Sequence, residues 1–245
     1  MQICGPKQSR FMRAEIIYED CYGLRHFYPD FFKNVLDVGA NVGYFSMMCR
    51  FLFPKARIIS IEPQKEVFEA LSKNAIYLDI EPHRSALGDG TPVYLIPRHH
   101  GTWATRYDKD GDANSDRVDG KTLVQLVQEH SIDPAQAFLK IDCEGAERHL
   151  LNDKGAEEFL KNVAAGAMEV HSIPGGMDLR EFEKWLNSTI QETHDIKWGE
   201  FRTDRDGRER ITHVKFVRKD VPLMNDLTVP PTKVAGISPK DRFKD

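Results

Sequence analysis

The chain has 245 residues, of which 40% are hydrophobic, so it can bury the core of one large or two small domains. Lys and Arg total 34 against 38 for Asp and Glu, and the formal net charge of −4 argues against an obligate nucleic-acid partner. The four cysteines have no paired or metal-binding spacing, and no apolar run is long enough to form a signal core or to span a bilayer. We therefore expect a cytoplasmic protein with reduced thiols and no membrane partner.

The first 33 residues mix aromatic with charged side chains. Positions 13–20 fit either a short helix or a short strand. We expect residues 1–33 to form a cap that packs on a sheet, and the alternative is a cover over an active site.

Residues 34–50 predict a strand, a glycine-containing loop and a helix, in that order. The run at 35–38 is mostly apolar and stops at Gly39, as a strand buried in a parallel sheet does. Gly39 and Gly43 allow backbone conformations that are closed to other residues and a close approach to a ligand, and an apolar helix is expected over 44–53. This arrangement is the usual frame for a nucleotide-like ligand.

The chemistry of this loop favours a cationic ligand over a pyrophosphate. Asn41 replaces the middle glycine of a dinucleotide-binding pattern, and Asp37 would repel phosphate. The pattern Asp37-x-Gly39-x-Asn41-x-Gly43 resembles the first motif of class I methyltransferases, which bind S-adenosylmethionine. That resemblance implies that Asp37 lies near the amino-acid end of the ligand and that the glycines approach its backbone and sulfonium region. The alternative is an ordinary strand-to-helix turn with two glycines.

A second β-branched strand is predicted over 57–61, and it ends at Glu62 and a proline. A carboxylate at this strand tip accepts hydrogen bonds from both ribose hydroxyls in nucleotide-binding βαβ units, because it offers two oxygens to a vicinal diol. The alternative is a capping carboxylate for a helix over 64–75. Together with the glycine loop, Glu62 predicts adenosine binding.

Residues 82–87 predict a short third strand, and 93–96 predict a fourth strand outside the main sheet. The end of the third strand frames the adenine in class I methyltransferases. The resemblance therefore implies that Ser85, Ala86 and Leu87 lie near the adenine, although small and apolar residues also suit a core.

A long polar segment follows at 98–117. Loops of this length inside a compact domain are usually functional or disordered, and we expect this one to be a lid that faces the substrate.

A second informative stretch is the buried strand 137–142, which runs into a helix. The sequence Leu-Lys-Ile-Asp-Cys-Glu-Gly-Ala-Glu at 139–147, together with Leu-Asp-Val-Gly-Ala-Asn-Val-Gly at 36–43 and Ile-Glu-Pro at 61–63, resembles the FkbM family of S-adenosylmethionine-dependent methyltransferases. The likeness extends over residues 34–171, and the chain departs from it where Cys143 replaces the usual valine. It implies methylation of hydroxyl groups, often on sugars or on polyketide and glycan products.

Asp142 ends this strand at the edge of the sheet where open α/β folds bind ligands. We expect it to face both the cofactor and the acceptor, because an acid at a buried strand tip needs a partner. Glu144 and Glu147 fall in the first turn of the next helix, where the helix dipole favours acidic side chains. For Glu147, this interaction with the helix dipole explains an acidic residue as well as a role in the active site does.

The strand predicted over 164–170 leads into Glu169 and His171, which alternation places on one side. We expect His171 to act as the general base, with Asp142 and also Glu144 orienting the imidazole or the acceptor hydroxyl. The alternative is that His171 only forms hydrogen bonds at the sheet edge.

A competing mechanism places a divalent metal on Asp142 and Glu169. Acids at these two strand tips resemble the magnesium site of catechol O-methyltransferases, where the metal lowers the pKa of the hydroxyl.

A helix at 178–190 and a hairpin of 195–201 with 211–218 complete the predicted domain, and 220–245 is expected to be an extended or mobile tail. We predict one doubly wound, Rossmann-like α/β domain at 34–219, with a mixed seven-stranded sheet and helices on both faces. The predicted activity is S-adenosylmethionine-dependent O-methylation of a sugar, glycan or natural product. The alternatives are a nicotinamide-dependent oxidoreductase and a catalytically silent adenosyl-binding module that regulates a partner.

Overall fold

The structure is a computed structural model that describes residues 3–5, 12–96, 106–108, 116–173 and 176–225. Its strands, in chain order, are β1 (Asn34–Val38), β2 (Arg57–Ile61), β3 (Ile80–His83), β4 (Ala86–Leu87), β5 (Val93–Ile96), β6 (Arg106–Asp108), β7 (Asp116–Val118), β8 (Gly120–Lys121), β9 (Ala137–Asp142), β10 (Ala165–His171), β11 (His194–Trp198), β12 (Arg202–Thr203) and β13 (Glu209–Arg218). Its α-helices are α1 (Tyr44–Leu52), α2 (Lys65–Ala75), α3 (Leu123–Glu129), α4 (Ala156–Asn162) and α5 (Leu179–Ile190). Shorter helical turns are Ala14–Tyr18, Leu24–His26, Pro134–Gln136 and Ala146–Asn152.

The main sheet has the strand order β11-β13-β10-β9-β1-β2-β3, and β12 pairs with β13 outside this path. Strands β3, β2, β1, β9 and β10 are parallel to one another, and β13 and β11 add an antiparallel end. The predicted mixed sheet of seven strands is therefore confirmed. No helix in the described ranges is long and apolar enough to cross a membrane.

Two apolar cores cover the two faces of the sheet. Leu36 of β1 packs in the core that includes α3, α4 and α5, whereas its neighbour Val35 packs in the core that includes α1 and α2. Because successive strand residues point to opposite faces, burial on both sides explains why β1 reads as an almost continuous apolar run. The predicted helices on both faces are confirmed.

The third predicted strand is divided in the structure. β3 ends at His83 and stays in the main sheet, whereas β4 pairs with β8 in a separate two-stranded sheet. Between them, Arg84 forms an ion pair with Asp116 and donates to the carbonyl of Pro63, which holds the chain as it leaves the main sheet. β5 lies outside the main sheet as predicted, in a three-stranded sheet with β6 and β7. Most of the predicted lid, 98–105 and 109–115, lies outside the described residues.

The N-terminal cap belongs to the domain core. Its ambiguous segment forms a helical turn, and Phe32 contacts the rings of Phe27, Phe53 and Phe138 with centroid distances of 5.0, 5.1 and 5.4 Å. Phe138 lies in β9, so the cap packs directly on the central sheet.

The chain directly after β13, which was expected to belong to an extended or mobile tail, packs on the cap. Val221 is buried, Leu223 pairs with Phe27, and the amide of Met224 donates to the carbonyl of His26 at 2.8 Å. Apolar side chains at 221 and 223 explain this packing, because each covers surface that the cap would otherwise expose. Residues 226–245 lie outside the described part of the chain.

We expect Phe32→Ala to lower the free energy of unfolding by about 3–5 kcal/mol, because it removes a buried ring and leaves a cavity among the three aromatic rings named above. Phe51→Ala on α1 is the matched control, since 74% of Phe51 is exposed and its loss should change stability by about 0.5 kcal/mol or less. Urea unfolding of both variants measures the difference. Equal stabilities would contradict the placement of the cap in the core.

Candidate active site

A cavity of about 250 Å³ lies where the carboxyl ends of β1, β2, β9 and β10 meet the N-terminal cap. Its described lining includes the glycine loop, the tip of β2, the tips of β9 and β10, and part of the cap. The lining residues on which the following paragraphs depend are Tyr22, Gly39, Asn41, Glu62, Ser85, Leu87, Asp142, Glu144, Glu169 and His213. This is the edge at which ligands bind in open parallel sheets.

Both glycines of the loop have a left-handed backbone conformation, and a Cβ at either position would lie too close to another part of the protein. Gly39 has φ of +80°, and a Cβ placed there would lie 1.8 Å from the carbonyl oxygen of Asp142. Gly43 has φ of +93°, and a Cβ there would lie 2.8 Å from Leu71 Cδ1. Gly39 lines the cavity, whereas Gly43 is not among its described lining residues.

Glu62 is held in place by the glycine loop. Its Oε2 accepts from the amide of Asn41 and its Oε1 from the amide of Gln64, each at 2.9 Å. Burial raises the pKa of the Glu62 carboxyl to about 7 despite these two hydrogen bonds. Each carboxylate oxygen retains acceptor capacity, so Glu62 presents a fixed pair of acceptors to the cavity, as a ribose diol requires.

Asp37 lies in a different place from the one expected. Its side chain is fully buried beneath α1, where Oδ2 accepts from Ser46 Oγ at 2.6 Å and Oδ1 lies 3.2 Å from Lys140 Nζ. It does not line the cavity. The strand register explains this position, because Asp37 stands between Ser60 and Lys140 on the same face of the sheet. Asp37 therefore supports the loop from behind instead of facing a ligand.

The region expected to frame an adenine is occupied by Ser85 and Leu87, which both line the cavity. Ala86 does not, because it packs in a separate apolar cluster with Val93, Leu95 and Val118. Ser85 Oγ is buried and has no hydrogen-bond partner within the described ranges. A buried hydroxyl without a partner marks a place where a polar ligand atom would be stabilised.

Three carboxylates face the opposite end of the cavity, from Asp142, Glu144 and Glu169. Asp142 Oδ2 accepts from Tyr22 Oη at 2.9 Å and lies 3.9 Å from Lys140 Nζ. Glu144 has φ of +54°, a conformation that costs a non-glycine residue about 1–3 kcal/mol and that is concentrated at functional sites. Burial raises the pKa of the Glu144 carboxyl to about 7.

His171 lies behind these carboxylates and does not line the cavity. Its Nδ1 is 3.3 Å from Glu147 Oε1, and its Nε2 is 3.1 Å from Glu169 Oε1. Burial lowers the pKa of the imidazole, but hydrogen bonds to these two carboxylates outweigh burial and raise it to about 11. Because both ring nitrogens are engaged, the geometry disfavours the expected role of His171 as general base. The predicted placement of Glu169 and His171 on one side of β10 agrees with their contact.

Glu147 does more than complement a helix dipole. It is fully buried, and its Oε1 accepts from the amide of Cys143 at 2.7 Å in addition to contacting His171. Glu147 therefore fixes the turn after β9 and the orientation of the imidazole together.

Sequence reasoning missed His213 and Tyr22. His213 of β13 stands opposite Glu169 in the antiparallel register, and its Nε2 lies 2.5 Å from Glu169 Oε2. Tyr22 reaches Asp142 from the cap. The only signal for His213 was its place in a predicted strand, and the pairing of that strand with β10 was not specified by any local pattern.

Residues 37–194 match the family profile described as the methyltransferase FkbM domain. Methyltransferase sdnD of Sordaria araneosa is 26% identical over 202 residues, which cover 68% of this chain and 77% of that protein. Methyltransferase 1 of Beauveria bassiana (strain ARSEF 2860) is 25% identical over 176 residues, which cover 62% of this chain and 70% of that protein. The crystal structure of methyltransferase FkbM from Methylobacillus flagellatus KT has 16% identity and a TM-score of 0.48, covering 88% of this chain and 56% of that chain.

We expect Gly39→Ala to destabilise the protein more than Gly207→Ala does. Both glycines have a similar positive φ, +80° and +75°, but a Cβ at Gly207 meets nothing within 4 Å. Each variant carries a conformational cost of about 1–2 kcal/mol, and the contact with Asp142 should add about 1–3 kcal/mol at position 39. Thermal or urea unfolding measures how much stability each variant loses. The difference between the two losses is the cost of the contact with Asp142. If the two losses were the same, the close approach of β1 to β9 would not constrain the loop.

Proposed function

Because the chain belongs to the FkbM methyltransferase family, we propose that it transfers the methyl group of S-adenosylmethionine to a hydroxyl group of a sugar, glycan or natural-product acceptor. Membership in the family makes the chain a methyltransferase. The cofactor and the hydroxyl acceptor are the content of the proposal, and the geometry of the cavity supports both.

The observation that carries the proposal is the position of Glu62. Its carboxylate is fixed by the amides of Asn41 and Gln64 at the cavity wall, where it can accept from both hydroxyls of the cofactor ribose. Ser85 and Leu87 line the cavity where the adenine is expected, and the unpartnered hydroxyl of Ser85 is available to a ring nitrogen. The described features of one wall thus fit an adenosine.

The carboxylates at the other end suit the charge of the cofactor and the chemistry of the transfer. A sulfonium is a cation, so the negative charge of Asp142, Glu144 and Glu169 favours its binding near them. In the transfer, the acceptor oxygen forms a bond to the methyl carbon while the bond from carbon to sulfur breaks and its electron pair stays on sulfur. The products are S-adenosylhomocysteine and the methyl ether.

An alcohol is a poor nucleophile at neutral pH, so a group must take its proton, an effect worth about 10²–10⁴-fold. We assign this role to Glu144, which lines the cavity on a strained backbone with its side chain 39% exposed. His171, 3.8 Å from Glu144, then acts as a positioning residue that holds the carboxylates, and Asp142 orients the acceptor hydroxyl.

The two rival functions differ from this proposal in measurable ways. A nicotinamide-dependent oxidoreductase would bind NAD, which the family match disfavours. A catalytically silent adenosyl-binding module would bind S-adenosylhomocysteine normally and show no turnover with a panel of glycans, nucleotide sugars and natural-product alcohols.

We expect Glu62→Gln to weaken S-adenosylhomocysteine binding by about 1.5–3 kcal/mol at pH 8, because the amide offers one acceptor oxygen in place of a charged pair. In the wild type, the affinity should rise between pH 5 and pH 7 and then level off. The pKa of about 7 means that the Glu62 carboxyl must lose its proton to bind the ribose below that pH. The variant should lack this pH dependence. Isothermal titration calorimetry between pH 5 and pH 8 measures both effects.

Glu66→Gln is the matched control for this experiment, since Glu66 is exposed on α2 one turn away and should bind like the wild type. Tight binding of NAD by the wild type, together with no binding of S-adenosylmethionine, would refute the proposed cofactor.

We expect Glu144→Gln to lower kcat by about 10²–10⁴-fold without changing the affinity for S-adenosylhomocysteine, because the amide cannot accept the hydroxyl proton. The surface variant Glu157→Gln on α4 should retain full activity. Steady-state kinetics with an active acceptor gives the result. A near wild-type kcat for Glu144→Gln, with a large loss in His171→Ala, would return the role of base to His171.

A further inference from the structure

We propose that Asp142, Glu169 and His171 bind a divalent transition-metal ion. Each residue offers one ligand atom, and these atoms lie within 4.8 Å of one another. The register explains the cluster, because Asp142 of β9 and Glu169 of β10 are paired residues on neighbouring parallel strands. His171 lies two residues beyond Glu169 and therefore projects from the same side of β10.

The two carboxylate ligands are each fixed through one oxygen by another residue. Tyr22 Oη donates to Asp142 Oδ2 at 2.9 Å, and His213 Nε2 lies 2.5 Å from Glu169 Oε2. These contacts leave Asp142 Oδ1 unused. Glu169 Oε1 lies 3.1 Å from His171 Nε2, so an ion bound here would replace the proton shared by these two atoms. Hydrogen bonds of this kind orient the carboxylates that bind metals in proteins.

The histidine is fixed in the same way. His171 Nδ1 lies 3.3 Å from Glu147 Oε1, and its Nε2 points to the carboxylate side of the cluster, 3.1 Å from Glu169 Oε1. A metal-binding imidazole typically donates its other ring N–H to a carboxylate, which sets the tautomer and raises the basicity of the ligand nitrogen. Glu147, which makes this contact, is fully buried and does not line the cavity.

The charges of the region also favour a cation. Asp142, Glu147 and Glu169 are buried or half-buried carboxylates within one cluster, and Lys140 is the lysine that approaches it, 3.9 Å from Asp142. Glu147 Oε2 is buried and has no hydrogen-bond partner in the described part of the chain. A dication would offset this concentration of negative charge.

The ligand set selects the kind of ion. Magnesium prefers oxygen ligands, whereas an imidazole nitrogen with two carboxylate oxygens suits manganese, iron or cobalt in the divalent state. Asp142 and Glu169 line the cavity, so an ion held by them would be accessible to an acceptor hydroxyl and would lower its pKa. Only this last step rests on the proposed function. Binding of the ion depends on the cluster alone.

The test is a titration of the chelator-treated full chain with Mn²⁺, followed by electron paramagnetic resonance. We expect one saturable site whose affinity falls at least tenfold in Glu169→Gln, with the hyperfine signal of a coordinated nitrogen that disappears in His171→Asn. Glu15→Gln is the matched control, because Glu15 also lines the cavity but lies in the cap. It should retain the wild-type affinity for Mn²⁺.

Each variant is also tested for binding of S-adenosylhomocysteine, which reports that the fold and the cofactor end are intact. Absence of saturable Mn²⁺ binding to the wild type, or equal affinities in wild type, Glu169→Gln and His171→Asn, would overturn the metal site and leave the proposed cofactor untouched. An equal loss in Glu15→Gln would also overturn it, since general attraction by the negative cavity would then explain the binding. If the wild type did not bind S-adenosylhomocysteine, this result would instead count against the proposed function.

Discussion

The buried ammonium group of Lys140 joins the parts of the site. Its Nζ donates to the carbonyl of Gly39 at 2.6 Å and lies 3.2 Å from Asp37 Oδ1 and 3.9 Å from Asp142 Oδ2. Burial lowers the pKa of the amine, but the two aspartates outweigh burial and hold it above its ordinary value. The charge is thus retained inside the sheet, where removal of the lysine would leave buried carboxylates without a cation at a cost of about 3–5 kcal/mol.

Lys140 and its two aspartates link the end of the cavity at which we propose the cofactor to the end at which we propose the acceptor. Lys140 and Asp142 are two residues apart in β9 and share a face, so the same strand supports the glycine loop and presents an acid to the cavity. The backbone of Asp142 also sets how closely Gly39 can approach, since the two strand ends are in contact there. In the proposed reaction, a rigid connection of this kind would hold the methyl donor and the acceptor in line, and such positioning lowers the barrier to a bimolecular transfer.

Much of the fold and the cofactor end could be predicted from local patterns. The apolar run before Gly39 and the acid at Glu62 each follow from chemistry within a few neighbouring residues, and the two-sided sheet that they predict is confirmed. Asp37 shows the limit of such patterns. Its direction depends on Ser60 and Lys140, which lie on adjacent strands and are remote in sequence.

The acceptor end was less predictable for the same reason. The expectation for His171 used its chemistry alone, whereas Glu147 and Glu169, which the sequence did not pair with it, each lie beside one of its ring nitrogens. His213 enters through the antiparallel pairing of β13, whose partner and register are set by tertiary packing.

The contact between the cap and the chain after β13 affects the order in which the site is completed during synthesis. Tyr22 belongs to the cavity wall, yet the cap that carries it is secured by Leu223 pairing with Phe27 and by the bond from Met224 to His26. The central strands emerge from the ribosome long before this segment does. A nascent chain that stops at the end of β13 would lack these two contacts, and the cap that carries Tyr22 would depend on its ring contacts with α1 and the sheet until residues 223 and 224 are added.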